Sequence, residues 1–262
     1  MTARRTLLAG GLGTAALLTA GASLPAAATS AAYGSLPTVV FVHGAFADSS
    51  GWTGVVRRLR ERGYPMLAVA NPLRGLPPDS AYLASVLASV AGPIVLVGHS
   101  YGGFVMTNVA AGNPNVKALV YVAAFAPDEG ESIASIGARF PGGLLGPDTL
   151  DLHFYPLPDG TFSADAYIKQ AAFRQVFCAD LSPATAAAMA VTQRPVDAHA
   201  LEQQLSSAPA WKTIPSWYLV ASEDKAISPA AERFMAQRAG AYTVEVHASH
   251  VPMISRPRRS PT

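Results

Sequence analysis

Short apolar runs alternate with helical repeats along most of the chain. Six runs of four to six residues are rich in β-branched and other apolar side chains, which is typical of buried strands. They predict strands at residues 38–42, 66–70, 94–97, 118–123, 217–221 and 242–246. Helical repeats follow at 51–63, from Asp79 or Ser80 to about 90, at 104–111 and at 230–238. This alternation predicts an α/β fold in which helices cover both faces of a mostly parallel sheet.

The alternation stops from residue 127 to about residue 214. This segment is rich in proline, glycine, aspartate and alanine, contains two or three helical patches and has no clear strand. A long insertion in a parallel sheet usually forms a cap over one end of the sheet, and such a cap often encloses a ligand site. We therefore expect a helical cap insertion at about 127–214.

The first 28 residues have the composition of an export signal. Arg4 and Arg5 precede a weakly apolar stretch that ends in small residues, and the pair with its following threonine and leucines resembles a twin-arginine signal. We expect cleavage after Ala28 or, alternatively, after Ala32, a folded domain over 33–262, and a secreted or periplasmic location. An uncleaved membrane anchor is the alternative, although the stretch is only weakly hydrophobic for a stable span.

Composition and charge exclude several classes of protein. Half of the 262 residues are hydrophobic and 14% are charged, which favours one large globular domain with a substantial core. The net charge is +2, and beyond residue 28 there are 17 basic and 17 acidic side chains, so nothing favours nucleic acid or a membrane as partner. Cys178 is the single cysteine, and the histidines lack metal-ligand spacing. We expect neither a metal nor an organic cofactor.

A lone serine follows the most apolar of the predicted strands. Residues 98–102 read Gly-His-Ser-Tyr-Gly and fit the pattern G-x-S-x-G between a strand and a helix. In that setting the serine occupies a very sharp turn, and its neighbours two residues away must be small. The turn places the hydroxyl above the carboxyl end of the sheet, where ligands bind in such folds. Ser100 is therefore the candidate nucleophile.

A serine nucleophile needs a base within hydrogen-bond reach, and the base needs an orienting acid. Candidates for both follow the last two predicted strands. For the base we prefer His250 to His247, because His250 lies in the loop while His247 closes the strand. For the acid we prefer Asp224 to Glu223, and Asp128, after the fourth strand, is a third candidate. The order along the chain is then Ser, Asp, His.

The oxyanion formed during attack on a carbonyl needs two N–H donors. One is the backbone amide after the nucleophile, that of Tyr101. The other is expected in the loop after the first strand, where Gly44 lets the backbone turn inward. We choose the amide of Ala45, with that of Phe46 as the alternative.

Together these residues resemble the α/β-hydrolase superfamily over about residues 36–258. The resemblance looks strongest to a branch that holds small-ester carboxylesterases, plant methyl esterases and hydroxynitrile lyases. The stretches that carry it are VHGAF, GHSYGG, VAAFAPDEGES, SEDKAISP and ASHVPMISRP. It implies a six-stranded sheet that begins with the strand leading to the first of these stretches.

Two positions depart from the lyases of that branch. The resemblance implies a threonine after the loop histidine and a lysine after the catalytic histidine, and this chain has Gly44 and Val251 there. Without a lysine to stabilise departing cyanide, lyase activity is not expected.

The leading hypothesis is an exported serine hydrolase that cleaves a small carboxylic ester through an acyl-enzyme. The alternatives are a slow-turnover ligand-binding protein on the same fold, and a hydrolase of lactones or C–C bonds. Aromatic residues of the predicted cap suggest an apolar substrate pocket, although they also suit an ordinary core: Phe140, Phe154, Tyr155, Phe162, Tyr167, Phe173 and Phe177.

Overall fold

A computed structural model describes residues 36–257 of the chain. The predicted export signal at 1–28 lies outside the described residues. The strands of the described part are β1 (Thr38–Val42), β2 (Met66–Val69), β3 (Ile94–Ser100), β4 (Val116–Ala124), β5 (Leu150–Pro156), β6 (Phe162–Ile168), β7 (Val196–Asp197), β8 (Ser216–Ala221) and β9 (Tyr242–Val246). The α-helices are α1 (Thr53–Glu61), α2 (Leu76–Ala88), α3 (Tyr101–Val109), α4 (Ile133–Arg139), α5 (Gln170–Phe177), α6 (Pro183–Thr192), α7 (Pro229–Arg238) and α8 (Pro252–Ser255).

The central sheet has six strands in the order β2-β1-β3-β4-β8-β9, and every pair is parallel. All six strands predicted from the apolar runs are present, and the bounds of β1 and β9 agree with the prediction. The strands β1 and β3 are buried along nearly their whole length, because helices cover both faces of the sheet. Such strands need apolar side chains on both faces, which is why they appear in the sequence as continuous apolar runs. Because all strands point the same way, their carboxyl ends meet at one edge of the sheet.

Each helix between these strands packs on the core either through a stripe of apolar side chains, as in α1, or through small residues, as at the start of α3. In α1 the apolar residues face inward and the arginines face outward, as the repeat predicts. The helix α2 begins at Leu76 rather than at Asp79 or Ser80, because Pro77 and Pro78 occupy its first turn, where the missing N–H groups cost nothing. Asp79 therefore lies inside the helix and is fully buried.

The insertion between β4 and β8 contains helices α4, α5 and α6, and it also contains three strands. The strands β5, β6 and β7 form a separate antiparallel sheet. The expectation of an insertion without strands is therefore wrong. Most side chains of β5 are exposed, so this strand is defined by its hydrogen bonds to β6 and carries no buried apolar run that would reveal it in the sequence.

Candidate active site

Ser100 lies on a strained turn between β3 and α3. It is the last residue of the strand, and its backbone has φ 52° and ψ −125°, a conformation that residues with a side chain rarely adopt. The neighbouring glycines make this turn possible. A Cβ atom on Gly98 would lie 2.8 Å from the Cα atom of Gly103, and one on Gly102 would collide with the carbonyl oxygen of Val42. The turn aims the start of α3 at the carboxyl edge of the sheet.

Asp224 and His250 are brought together by the loops after β8 and β9. Asp224 Oδ2 lies 2.6 Å from His250 Nδ1, and both side chains are buried. The other carboxylate oxygen, Oδ1, accepts the backbone N–H groups of Ala226 at 2.7 Å and Ile227 at 2.9 Å. A carboxylate with three donors is held in one orientation, so the imidazole that it contacts is oriented as well.

The outer nitrogen of His250 points away from this carboxylate. His250 Nε2 is buried and has no hydrogen-bond partner among residues 36–257. Ser100 makes no side-chain hydrogen bond with the described residues, so the serine and the imidazole are not joined in this structure. The residue before the serine connects β3 to the histidine loop instead: His99 Nε2 lies 2.8 Å from the carbonyl oxygen of His250, and the two rings are 4.7 Å apart.

The alternative acids and base lie elsewhere. The side chains of His247 and Glu223 are 76% and 52% exposed, and the two lie 3.6 Å apart on the surface. Asp128 contacts Lys212 at 2.7 Å, outside the cluster around His250. Among these candidates, the buried geometry expected of an orienting acid and a base belongs to Asp224 and His250.

The amides expected to bind an oxyanion differ in their availability. The N–H group of Phe46 donates to the carbonyl oxygen of Arg194 at 3.0 Å. The N–H group of Ala45 has no acceptor among the described residues, and that of Tyr101 lies in the first turn of α3, where amides have no intrahelical partner. This pattern favours Ala45 over Phe46 as the second donor.

Two buried polar residues that the sequence analysis did not assign to the site, Asp79 and His43, stabilise the segments that carry these amides. The Tyr101 hydroxyl donates to Asp79 Oδ2 at 2.8 Å, and burial together with the charge of Asp79 raises the pKa of Tyr101, so it stays a neutral donor. His43 Nδ1 donates to the carbonyl oxygen of Gly44 at 2.9 Å, while Nε2 accepts the N–H group of Asn71 at 3.0 Å. Burial lowers the pKa of His43 to about 4, which keeps this ring neutral.

Gly44 leaves no room for a side chain beside the candidate nucleophile. A Cβ atom there would lie 2.6 Å from Ser100 Cβ and 2.9 Å from the carbonyl oxygen of His99. The threonine that the lyase resemblance implies at this position would therefore displace the serine turn. The other departing position, Val251, is fully buried.

A largely apolar cavity of about 550 Å³ lies between the insertion and the segment that runs from the loop after β8 into α7. One of its lining residues, Phe125, contacts the serine turn, because its backbone N–H group donates to the carbonyl oxygen of Ser100 at 3.2 Å. Of the aromatic residues considered for a substrate pocket, Phe140 lines this cavity, whereas Phe154 and Phe162 are 73% and 66% exposed. Phe177 is buried and its ring lies 5.0 Å from that of His250.

Neither metal ligation nor membrane crossing is indicated in the described part of the chain. Among residues 36–257 there is no cluster of three or more His, Cys, Asp or Glu side chains suited to a metal ion. Over the same residues no helix is both long and apolar enough to span a bilayer.

Comparison with known proteins gives relatives over nearly all of the described chain. A family model described as the alpha/beta hydrolase family matches residues 39–259. A carbendazim hydrolyzing esterase from Nocardioides sp. (strain SG-4G) is 30% identical over 152 residues, which are 48% of this chain and 62% of that esterase. The alpha/beta hydrolase nvfD from Aspergillus novofumigatus (strain IBT 16806) is 28% identical over 244 residues, which are 84% of this chain and 92% of that protein.

Solved structures show the same fold. The crystal structure of polyneuridine aldehyde esterase superposes with a TM-score of 0.71 at 20% identity, and the match covers 85% of this chain and 95% of that one. At this identity the likeness concerns the fold.

Proposed function

Because this chain belongs to the alpha/beta hydrolase family, we propose that it is a serine hydrolase that cleaves small carboxylic esters. The observation that carries the proposal is the buried contact of 2.6 Å between Asp224 and His250, at the edge of the sheet where the strained turn presents Ser100. Two relatives whose names describe a hydrolase or an esterase support the same reaction class.

In the first half of the reaction, His250 acts as the base. Its Nε2 takes the hydroxyl proton of Ser100 while Oγ attacks the ester carbonyl carbon. Asp224 accepts the Nδ1 hydrogen and stabilises the imidazolium that forms. The amides of Ala45 and Tyr101 donate to the oxyanion. When the intermediate collapses, the ester C–O bond breaks and the imidazolium returns its proton to the departing alcohol.

In the second half, a water molecule replaces the alcohol. His250 takes a proton from the water, whose oxygen attacks the acyl carbon bound to Ser100. The bond from the acyl carbon to Oγ breaks, the serine regains its proton from the imidazolium, and the carboxylic acid leaves. Every proton transfer in this cycle uses side chains of the chain itself, so the reaction needs no metal ion or organic cofactor.

The shape of the site favours esters with an apolar portion. The cavity of about 550 Å³ includes Phe125, which is hydrogen-bonded to the serine turn, and is lined mainly by apolar side chains such as Ile133, Phe140 and Leu150. Apolar area buried there contributes about 25 cal/mol per Å² to binding, before the costs of association. We assign this cavity to the acyl or the alcohol group of the substrate.

Steady-state hydrolysis of p-nitrophenyl acetate tests the proposed function. We expect many turnovers per protein molecule and no effect of EDTA, because the nucleophile, base and oxyanion donors are all supplied by the chain. A panel of short-chain, aryl and methyl esters then identifies the preferred group. A single burst without further turnover would instead indicate the slow-turnover binding protein, and hydrolysis restricted to lactones or C–C bonds would indicate another reaction on the same residues.

Export is part of the same proposal. Residues 1–28, with Arg4 and Arg5 at their start, are proposed to direct the chain out of the cytoplasm and to be removed. Protein recovered from outside the cytoplasm is expected to begin near Thr29 or Tyr33 when its N-terminus is determined by mass spectrometry. Recovery of intact Met1 in a membrane fraction would show that the segment anchors the protein instead.

A further inference from the structure

Glu232 is a carboxylic acid that lies fully buried on α7, close to the loop that carries Asp224. Its Oε2 accepts the backbone N–H group of Ala221 at 3.1 Å, and its Oε1 is buried and receives no donor from residues 36–257. The next residue along the helix, Arg233, pairs with Glu245 at the surface and is directed away from it. A buried carboxyl group with one amide donor is far more stable as the neutral acid than as the anion.

Glu232 and Asp224 are both fully buried and both contact Ala221: Glu232 Oε2 accepts its N–H group, and the N–H group of Asp224 donates to its carbonyl oxygen at 3.2 Å, which places the two carboxyl groups in one buried site. Two carboxylates in one buried site cannot both be ionised, so one of them keeps a proton. Asp224 has three donors, two amides and the His250 ring, whereas Glu232 has one. Burial, together with the charge of Asp224 and the hydrogen bond to it, raises the pKa of Glu232 well above its ordinary value. The proton therefore belongs to Glu232.

We propose that Glu232 is a positioning residue that, as the neutral acid, donates a hydrogen bond from its carboxyl O–H to the Asp224 carboxylate. This extends the line Ser100–His250–Asp224 by one buried member and rests on the proposed function. The hydrogen bond fixes the orientation of Asp224. It also disperses the negative charge of Asp224, so that this carboxylate holds the imidazolium of His250 less tightly than a carboxylate without this donor.

Other ionisable groups surround this line but stay in one charge state near neutral pH. Those that face it from β8, β3 and the loop after β1 are Tyr218, His99 and His43, while Arg233 on α7 is paired with Glu245 at the surface. Burial raises the pKa of Tyr218 well above its ordinary value, and burial lowers the pKa of His99 well below it. A change in the pH dependence of a Glu232 variant is therefore assigned to the line itself.

The charge state of Glu232 can be measured without any enzymatic activity. In Glu232→Gln the amide oxygen accepts from Ala221 and the NH₂ group donates to Asp224, so both hydrogen bonds are kept. In the unfolded chain Glu232 ionises above its ordinary pKa of about 4.3, whereas in the folded chain it keeps its proton. As the pH rises above that value, the free energy of unfolding of the wild type therefore falls, because only the unfolded chain releases this proton. The glutamine side chain has no such proton, so the Glu232→Gln variant does not show this fall.

The measurement is the unfolding equilibrium constant of the wild type divided by that of Glu232→Gln, from urea titrations between pH 5 and 8. This ratio should rise by about tenfold per pH unit until the pH reaches the pKa of Glu232 in the folded protein. Glu245→Gln, which removes an exposed carboxyl group, should show no such trend. A ratio for Glu232→Gln that stays constant over this range would overturn the proposal, because Glu232 would then be ionised in the folded protein.

The positioning role is measured by the pH profile of kcat/KM for p-nitrophenyl acetate. Glu232→Gln should keep the wild-type midpoint of the low-pH limb, and Glu232→Leu, which has no donor, should move it to higher pH by about half a unit or more. A downward shift in Glu232→Gln, or a Glu232→Leu variant that loses thermal stability with an unchanged limb, would overturn the role. If the wild type hydrolyses no ester, the proposed function fails while the unfolding ratio still decides the protonation of Glu232.

Discussion

Ser100→Ala is expected to lower kcat for ester hydrolysis by about a million-fold, because it removes the only atom that forms the acyl-enzyme. Nothing nearby replaces it: the adjacent Gly44 has no side chain, and a Cβ atom there would already lie 2.6 Å from Ser100 Cβ. Alanine keeps the Cβ atom that packs in the turn, so the fold is expected to survive. The measurement is the steady-state rate with p-nitrophenyl acetate, together with a thermal unfolding curve.

A covalent label makes the assignment of Ser100 specific. An organophosphonate should add one equivalent to the peptide that contains Ser100 in the wild type and none to Ser100→Ala. Ser89→Ala is a matched control, because Ser89 is exposed at the end of α2 and its hydroxyl donates only to the carbonyl oxygen of Val86. Labelling that persists in Ser100→Ala, or full activity of that variant, would assign the nucleophile to another residue.

Asp224→Asn is expected to lower kcat by about ten-thousand-fold at neutral pH. The asparagine oxygen can still accept from the Ala226 and Ile227 amides, so its NH₂ group is directed toward His250 Nδ1. That donor forces the proton of the neutral ring onto Nε2, and Nε2 can then no longer accept the proton of Ser100. His250→Ala, which removes the base itself, should be at least as inactive.

Neighbouring residues supply the controls for this assignment. Glu223→Gln and His247→Ala change the exposed alternatives, which lie 3.6 Å apart on the surface, and both variants should retain nearly full activity. All four variants are compared on one ester at one pH. If Glu223→Gln is inactive while Asp224→Asn retains activity, the acid has been assigned to the wrong residue. The same holds for the base if His247→Ala is inactive while His250→Ala retains activity.

Much of the central sheet could be predicted because its strands are buried apolar runs. The same parallel arrangement indicated that residues following β8 and β9 would meet, and Asp224 and His250 are in contact. Their catalytic roles stay predictions. The glycines around Ser100 indicated the sharp turn, because at Gly98 and Gly102 a Cβ atom would collide with neighbouring backbone atoms.

The remaining features depend on contacts that leave no local signal. The strand β5 is defined by its pairing with β6 and carries mostly exposed side chains, whereas β6 buries small residues such as Ser163, Ala164 and Ala166, so neither reads as an apolar run. Asp79 suited a helix cap in the sequence, but the prolines before it start α2 earlier and place its carboxylate against Tyr101. The burial of Glu232 beside Asp224 likewise follows from how α7 packs on β8, which no pattern of single residues reveals.

The insertion leaves the sheet after β4 and returns at β8, and these two strands are neighbours. Because β4 and β8 are parallel, the insertion leaves at the carboxyl end of β4 and returns at the amino end of β8. Ser216 pairs with Leu119, five residues before the end of β4, so the two ends are about 17 Å apart whatever the length of the insertion. Closing a longer or shorter segment across such a gap changes the chain entropy slowly, by about 0.6 kcal/mol for each doubling of length. The entropy of closure therefore does not limit the exchange of segments within residues 127–214 in enzyme engineering, whereas the buried contacts of that region, such as those of Phe177 and Trp211, have to be kept. Substrate preference is then varied while the turn, the acid loop and the histidine loop remain on strands that the exchange does not alter.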